Sequence, residues 1–323
     1  MTAPVLAPGT RPPGGHDRPD GAAGCGAGVP VPVSPQPIRF AVLGDSLTEG
    51  IGDPGPDGRW RGWAALLAPG LGAGPRAVEL LNCARSGALT SDVAGGQLDD
   101  ALRFRPQLAS VLVGANDTLR GSFDIAVIAR RLDTVLGALR TDGAGVLTAC
   151  LPDPGSLLGL PWPLARPLAR RMRALNHVVH DLSERHGALH LHAADQPWTA
   201  DRAAWSADRL HPSELGHRLL AGEFHALLTA HGLASGEPPR PDPTGPGPSR
   251  AASTWWMATR GTQWVADRCT DLLPGLLRLA AAECRHRVTG STHALDARAH
   301  HLTTRALASL DPPRGEPGRR RAA

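Results

Sequence analysis

Between residues 38 and 192 the chain alternates short apolar, β-rich runs with longer segments of helical spacing, and this alternation limits the fold more than any other feature. The runs are 38–43 (Ile-Arg-Phe-Ala-Val-Leu), 77–81, 108–113, 145–149 and 188–192. Segments 61–67, 92–104, 124–139, 163–185 and 213–230 are the expected helices. In 163–185, Leu164, Leu168, Met172 and Leu175 form an apolar stripe, and Arg166, Arg170 and Arg173 recur at three- and four-residue spacing. A strand that returns to its sheet through a helix pairs in parallel, and such crossovers share one hand, so helices cover both sheet faces. The expected fold class is therefore α/β, a three-layer α/β/α domain whose ligands meet the carboxyl ends of the strands.

Proline and glycine bracket this domain. The chain of 323 residues holds 31 Pro and 38 Gly, concentrated where a packed core is hardest to build. The expected organisation is a disordered leader over 1–37, a catalytic domain over 38–232 and a Pro-rich linker over 233–252. An amphipathic helical segment over 253–288 and a largely disordered tail over 289–323 follow. Segment 255–282 opens on Trp255 and closes on Ala282, with Trp256, Trp264, Leu272, Leu273, Leu276 and Leu277 between, broken by Pro274-Gly275. It reads as a stripe packed on the catalytic domain or on a second copy, with weak membrane-surface contact as the other reading.

Every formal positive side chain is an arginine, and the net charge of +4 does not single out a nucleic-acid binder. The N-terminus lacks a basic patch followed by an apolar run, so the expected location is cytoplasmic. No stretch approaches the roughly 20 apolar residues of a membrane span. The five cysteines, Cys25, Cys83, Cys150, Cys269 and Cys284, are scattered without a Cys-x-x-Cys pair; neither a disulfide framework nor a metal is expected. His190-x-His192 is a pair without a third ligand and reads as structural. Cys83 and Cys150 read as small apolar residues, Gly70-x-Gly72-x-Gly74 as a loop, and Arg85 and Arg120 as solvated loop arginines.

Directly after the first run stands Gly44-Asp45-Ser46, which puts a hydroxyl at the carboxyl edge of the sheet. A serine becomes a nucleophile when a base takes its proton and an acceptor orients that base. Asp208-x-x-His211 supplies both, with Pro212 opening the next helix. Gly87, after the second run, can present its N–H at close approach, and Asn116 in Gly114-Ala115-Asn116-Asp117, after the third, can donate from its amide. With the Ser46 N–H, these make three candidate donors to an oxyanion.

These four segments, in this order, resemble the blocks of the SGNH hydrolases, also called GDSL esterases/lipases. The wording GDSLTEGIGDP, with Arg61-Gly62-Trp63 behind it, is similar to the actinobacterial branch. The resemblance implies a flavodoxin-like five-stranded parallel sheet, with Ser46 as nucleophile, His211 as base and then acid, and Asp208 as its partner. It implies an oxyanion hole of Ser46, Gly87 and Asn116, ester substrates on small-molecule, lipid or carbohydrate carriers, and no metal or cofactor. The expected function is an acyl hydrolase working through an acyl-serine. An acyltransferase on the same scaffold and a non-catalytic acyl- or glycan-binding module are the alternatives.

Overall fold

Strand β1, Ile38–Gly44, has a strand on either side and is buried on both faces. The computed structural model describes residues 36–55, 57–72, 78–244 and 273–310. Val78–Asn82 (β2) pairs with β1 on one side, and Leu108–Leu112 (β3), Gly145–Ala149 (β4) and Leu189–Leu191 (β5) follow on the other. All four pairings are parallel, in the order β2-β1-β3-β4-β5. This is the flavodoxin-like order, and the strand order reverses beside β1.

Because successive strand side chains point to opposite faces, β1 feeds two cores at once. Phe40 and Val42 join Leu108, Leu112 and Leu147 on one face. Helix α2 (Gly62–Leu67) covers this face together with α9 (Glu214–Ala230), and Trp63 stacks on Phe224 at 4.8 Å between ring centroids. Ala41 and Leu43 join Ala109, Val111 and Val146 on the other face. There α6 (Ile125–Thr141) supplies Ile128, Leu132 and Leu136, and α8 (Trp162–His186) supplies Leu175, Val178 and Leu182. Asp124 caps α6 by accepting from the Ala126 and Val127 N–H groups, and Ser213 caps α9 through Gly216.

The expected helix over 92–104 is in fact three pieces: α3 (Thr90–Asp92), a π-turn (Val93–Gln97) and α4 (Leu98–Phe104). Gly95 leaves helical geometry at φ −107°, ψ −116°, which the Gly95-Gly96 pair tolerates because neither residue has a Cβ. Short helices α1 (Ser46–Glu49), α5 (Ala115–Leu119) and α7 (Pro154–Leu157) follow the carboxyl ends of β1, β3 and β4.

The C-terminal flank of the expected domain plan needs correction. The leader lies outside the described residues apart from Gln36 and Pro37, and so do Trp255, Trp256 and Trp264. The described half of the 233–252 segment is no free spacer. The Gly236 N–H donates to the Gly70 carbonyl at 3.0 Å, and Thr244 donates twice to Glu214. Residues Leu273–Val288 form α10, with Pro274 in its first turn, where the missing N–H costs nothing, and the part of the expected helical segment before Leu273 lies outside the described residues. The expected disordered tail over 289–323 is wrong over Thr292–Ala308, which form α11. Thr303, Ala306 and Leu307 of α11 are buried, and α11 packs on α6 and α8.

Charge pairing fastens these two helices. The Arg170 guanidinium grips the buried Glu283 carboxylate of α10 at 3.0 and 3.3 Å and donates to Asp296 of α11 at 2.7 Å. Arg166 reaches the same two carboxylates, at 3.2 and 3.1 Å. Among the described residues no helix is long and apolar enough to cross a membrane.

Candidate active site

The turn after β1 is tightly built. A Cβ on Gly44 would meet the Leu112 carbonyl oxygen at 2.3 Å and Thr48 Oγ1 at 2.8 Å, so only glycine lets β1 approach β3 and α1 this closely. The Gln97 side chain closes a ring on the same residue. Its Oε1 accepts from the Gly44 N–H at 2.8 Å, and its Nε2 donates to the Gly44 carbonyl at 2.9 Å. Asp45 then caps α1 by accepting from the Leu47 N–H, and Ser46 stands as the first residue of that helix. Burial pushes the Asp45 carboxyl up to about 6, against the Leu47 hydrogen bond and the attraction of His211.

Opposite Ser46, the stretch before α9 folds into a hairpin. The Ser206 N–H donates to the His211 carbonyl at 2.8 Å, and Trp205 bridges Pro212. Arg209 takes φ +60° at its tip, a costly conformation for a side chain other than Gly or Asn. It brings Asp208 under the His211 ring. His211 Nδ1 is 2.6 Å from Asp208 Oδ2, and His211 Nε2 is 2.8 Å from Ser46 Oγ. Asp208 Oδ1 accepts from Ser206 Oγ, the Leu210 N–H and the His211 N–H. Burial alone would raise the Asp208 carboxyl, but His211 and these donors hold it down at about 2. An ionised Asp208 keeps the proton on Nδ1, which leaves Nε2 free to accept from a hydroxyl.

Asn116, in α5, donates from Nδ2 to the Ala88 carbonyl at 3.1 Å and more weakly to Asp45 Oδ2 at 3.4 Å. Gly87 sits at φ +80° in the turn closed by the Ala88 N–H on the Arg85 carbonyl. That turn is tied to the nucleophile turn through the Arg85 N–H and the Gly44 carbonyl, at 3.3 Å. Arg85 itself is exposed. Ser46, Asn116 and His211 line one pocket whose other walls are mostly apolar, among them Leu112, Leu119, Leu151, Leu157, Trp198 and Trp205. Gly87 is not among the lining residues.

Several supports were given no role by the sequence. Gln97 is one. Another is Asp117, beside Asn116, which is buried and accepts from the Thr90 N–H and hydroxyl at 3.0 and 2.8 Å. A third is the fully buried His217, which accepts from the Trp63 N–H and donates to the Ile51 carbonyl. Burial holds it neutral, with its pKa lowered to about 4. Beside it, Asp53 takes both ends of the Arg61 fork, at 3.0 and 2.8 Å, so the Arg61-Gly62-Trp63 stretch bears on the turn after Ser46 from below.

Residues 42–219 match the GDSL-like lipase/acylhydrolase family. Two solved structures are similar in fold. One is a variant of Axe2, an acetyl-xylooligosaccharide esterase from Geobacillus stearothermophilus, at 20% identity and a TM-score of 0.50, covering 59% of this chain and 94% of that one. The other is LAE5, an alpha/beta hydrolase enzyme from the metagenome of Lake Arreo, Spain, at 23% identity and a TM-score of 0.50, covering 61% and 97%. No curated protein matches the sequence.

Proposed function

The chain belongs to the GDSL-like lipase/acylhydrolase family and is a carboxylic ester hydrolase, and from that premise we propose that it works through an acyl-serine intermediate on Ser46. The observation that carries the proposal is the unbroken relay Ser46 Oγ–His211–Asp208, at 2.8 and 2.6 Å. His211 Nε2 takes the hydroxyl proton as Ser46 Oγ attacks the ester carbonyl. The tetrahedral oxyanion lies against the Ser46 N–H and the Asn116 amide, for which Asn116 gives up its long bond to Asp45. The alcohol departs with the proton from His211. Water, deprotonated by the same nitrogen, then releases the acid and restores Ser46.

The apolar pocket walls support an aliphatic acyl group, seated against Leu112, Leu119, Leu151 and Leu157, with the alcohol portion toward the open side. The test is hydrolysis of short, medium and long p-nitrophenyl esters by the wild type beside Ser46→Ala. Activity that vanishes in Ser46→Ala supports the proposal, and the chain-length profile measures the pocket. Activity that survives in Ser46→Ala refutes it. A product shifted from free acid to a new ester when an alcohol acceptor is added would move the reading to acyl transfer.

A further inference from the structure

Behind the wall of the acyl pocket lies a second cluster of reactive side chains. Side chains alternate along β4 and its extension, so Ala149 and Leu151 line the acyl pocket while Cys150, between them, lines another cavity with His177, His180, His190, His192 and Asp195. The Cys150 N–H donates to the Leu191 carbonyl at 3.1 Å, which sets Cys150 beside the two histidines that flank Leu191. One ligating atom from each of Cys150, His190 and His192 lies within 4.8 Å of the others.

A hydrogen-bond chain decides which nitrogen of His190 is free. Ser183 Oγ donates to the Val179 carbonyl, so it accepts the Thr148 hydroxyl proton at 2.7 Å. The Thr148 oxygen therefore accepts from His190 Nδ1–H, at 3.0 Å. His190 Nε2 is left with its lone pair, buried and without a hydrogen-bond partner among the described residues. His180 Nδ1 is likewise buried and unpartnered, with its ring 5.2 Å from that of His190 and 5.4 Å from that of His192. Two orphaned nitrogens on rings of one cavity call for an explanation, and an imidazole whose far nitrogen is oriented by a buried hydroxyl is prepared as a metal ligand.

We propose that Cys150, His190 and His192 bind a zinc-type divalent cation, with His180 or water as the fourth ligand. One sulfur and two imidazoles suit such a cation and not magnesium or calcium. On binding, the Cys150 thiol gives its proton to solvent and the sulfur becomes a thiolate ligand. Tetrahedral coordination draws the donors to roughly 3.5 Å from one another. The half-exposed His192, just past the end of β5, supplies that movement and the path of entry. The bound ion would pin β5 to β4 at the edge of the sheet, apart from Ser46.

The test uses the full chain, stripped with a chelator and titrated with Zn²⁺ by calorimetry, and with Co²⁺ by absorption. The expected result is one equivalent bound, with a thiolate-to-cobalt charge-transfer band. Cys150→Ser and His192→Gln should each weaken binding by about 100-fold or more, and Thr148→Val by about 10- to 100-fold through the orientation of His190. His293→Gln, on the exposed face of α11, should leave it unchanged. His192 is exposed enough that its variant keeps the fold. The absence of stoichiometric binding, or binding that Cys150→Ser and Thr148→Val leave intact, would overturn the proposal. The second outcome would place the ion on surface imidazoles, of which a chain with 14 histidines has a supply.

Discussion

Replacing Gln97 with alanine separates the support of the nucleophile turn from the chemistry performed there. Gln97 is buried and, among the described residues, shares no hydrogen bond with Ser46, Asp208 or His211, yet it holds both backbone polar groups of Gly44, two residues before Ser46. In Gln97→Ala the Gly44 carbonyl keeps the Arg85 N–H, at 3.3 Å. The buried Gly44 N–H has no such reserve, and a buried donor left unpaired costs about 1–3 kcal/mol. Removing the side chain adds a small cavity, so a loss of about 2–3 kcal/mol is expected, with a Tm lower by roughly 4–12 °C for a domain of this size. The freed turn should also place Ser46 Oγ less accurately against His211, and a misplacement of about 1 Å is enough for roughly a 10²-fold loss in rate. Urea unfolding gives the first quantity and ester turnover well below Tm gives the second. Because Gln97 acts through position, kcat should fall while the pH dependence of kcat keeps its shape. A variant within about 0.5 kcal/mol of the wild type, with unchanged kcat, would refute the idea that Gln97 fixes this turn.

On the proposed assignment of the oxyanion donors, Asn116→Ala lowers kcat by about 10²–10³, and unchanged turnover would remove Asn116 from that role. The Asp208 carboxyl, held at about 2 in the folded protein against an ordinary 3.8, contributes about 2 kcal/mol that is present above pH 4 and is lost as pH falls toward 2. The stability difference between wild type and Asp208→Asn should shrink over that range, and a constant difference would contradict the carboxylate's pairing with His211. Glu283→Ala removes a buried partner of Arg170 and leaves that guanidinium with the half-exposed Asp296, so a loss of about 3 kcal/mol in urea unfolding is expected. A loss below about 1 kcal/mol would mean that α10 is not fastened through this pair.

Short-range pattern made much of the architecture readable. Phe40 and Val42 alternating with Ala41 and Leu43 marked a strand buried on both faces, and the helix-length spacers then required a parallel sheet. Ser46, Asn116, Asp208 and His211 were legible because each falls just past a strand or just before a helix, where chemistry collects in this fold. What escaped the sequence depends on contacts between distant positions. Gln97 and Gly44 stand 53 residues apart, and a glutamine in a Gly-Gly-Gln turn carries no signal of the backbone it will clamp. Cys150 is 40 residues from His190, so only the pairing of β4 with β5 adds a third candidate ligand to a pair of histidines that looked structural. Helix α11 was missed because its buried face is only Thr303, Ala306 and Leu307, set among arginines and histidines. Its attachment to α8 runs through Asp296, which hydropathy cannot register.

The covalent intermediate on Ser46 can be detected directly. The most direct measurement mixes the enzyme with a p-nitrophenyl ester, quenches in acid within the first turnovers and weighs the intact chain, then locates any added mass by peptide fragmentation. One acyl group per chain is expected, on the peptide bearing Ser46, that accumulates before free acid does and is absent from Ser46→Ala. Turnover with no acylated species, or an acyl group on any other residue, would contradict it.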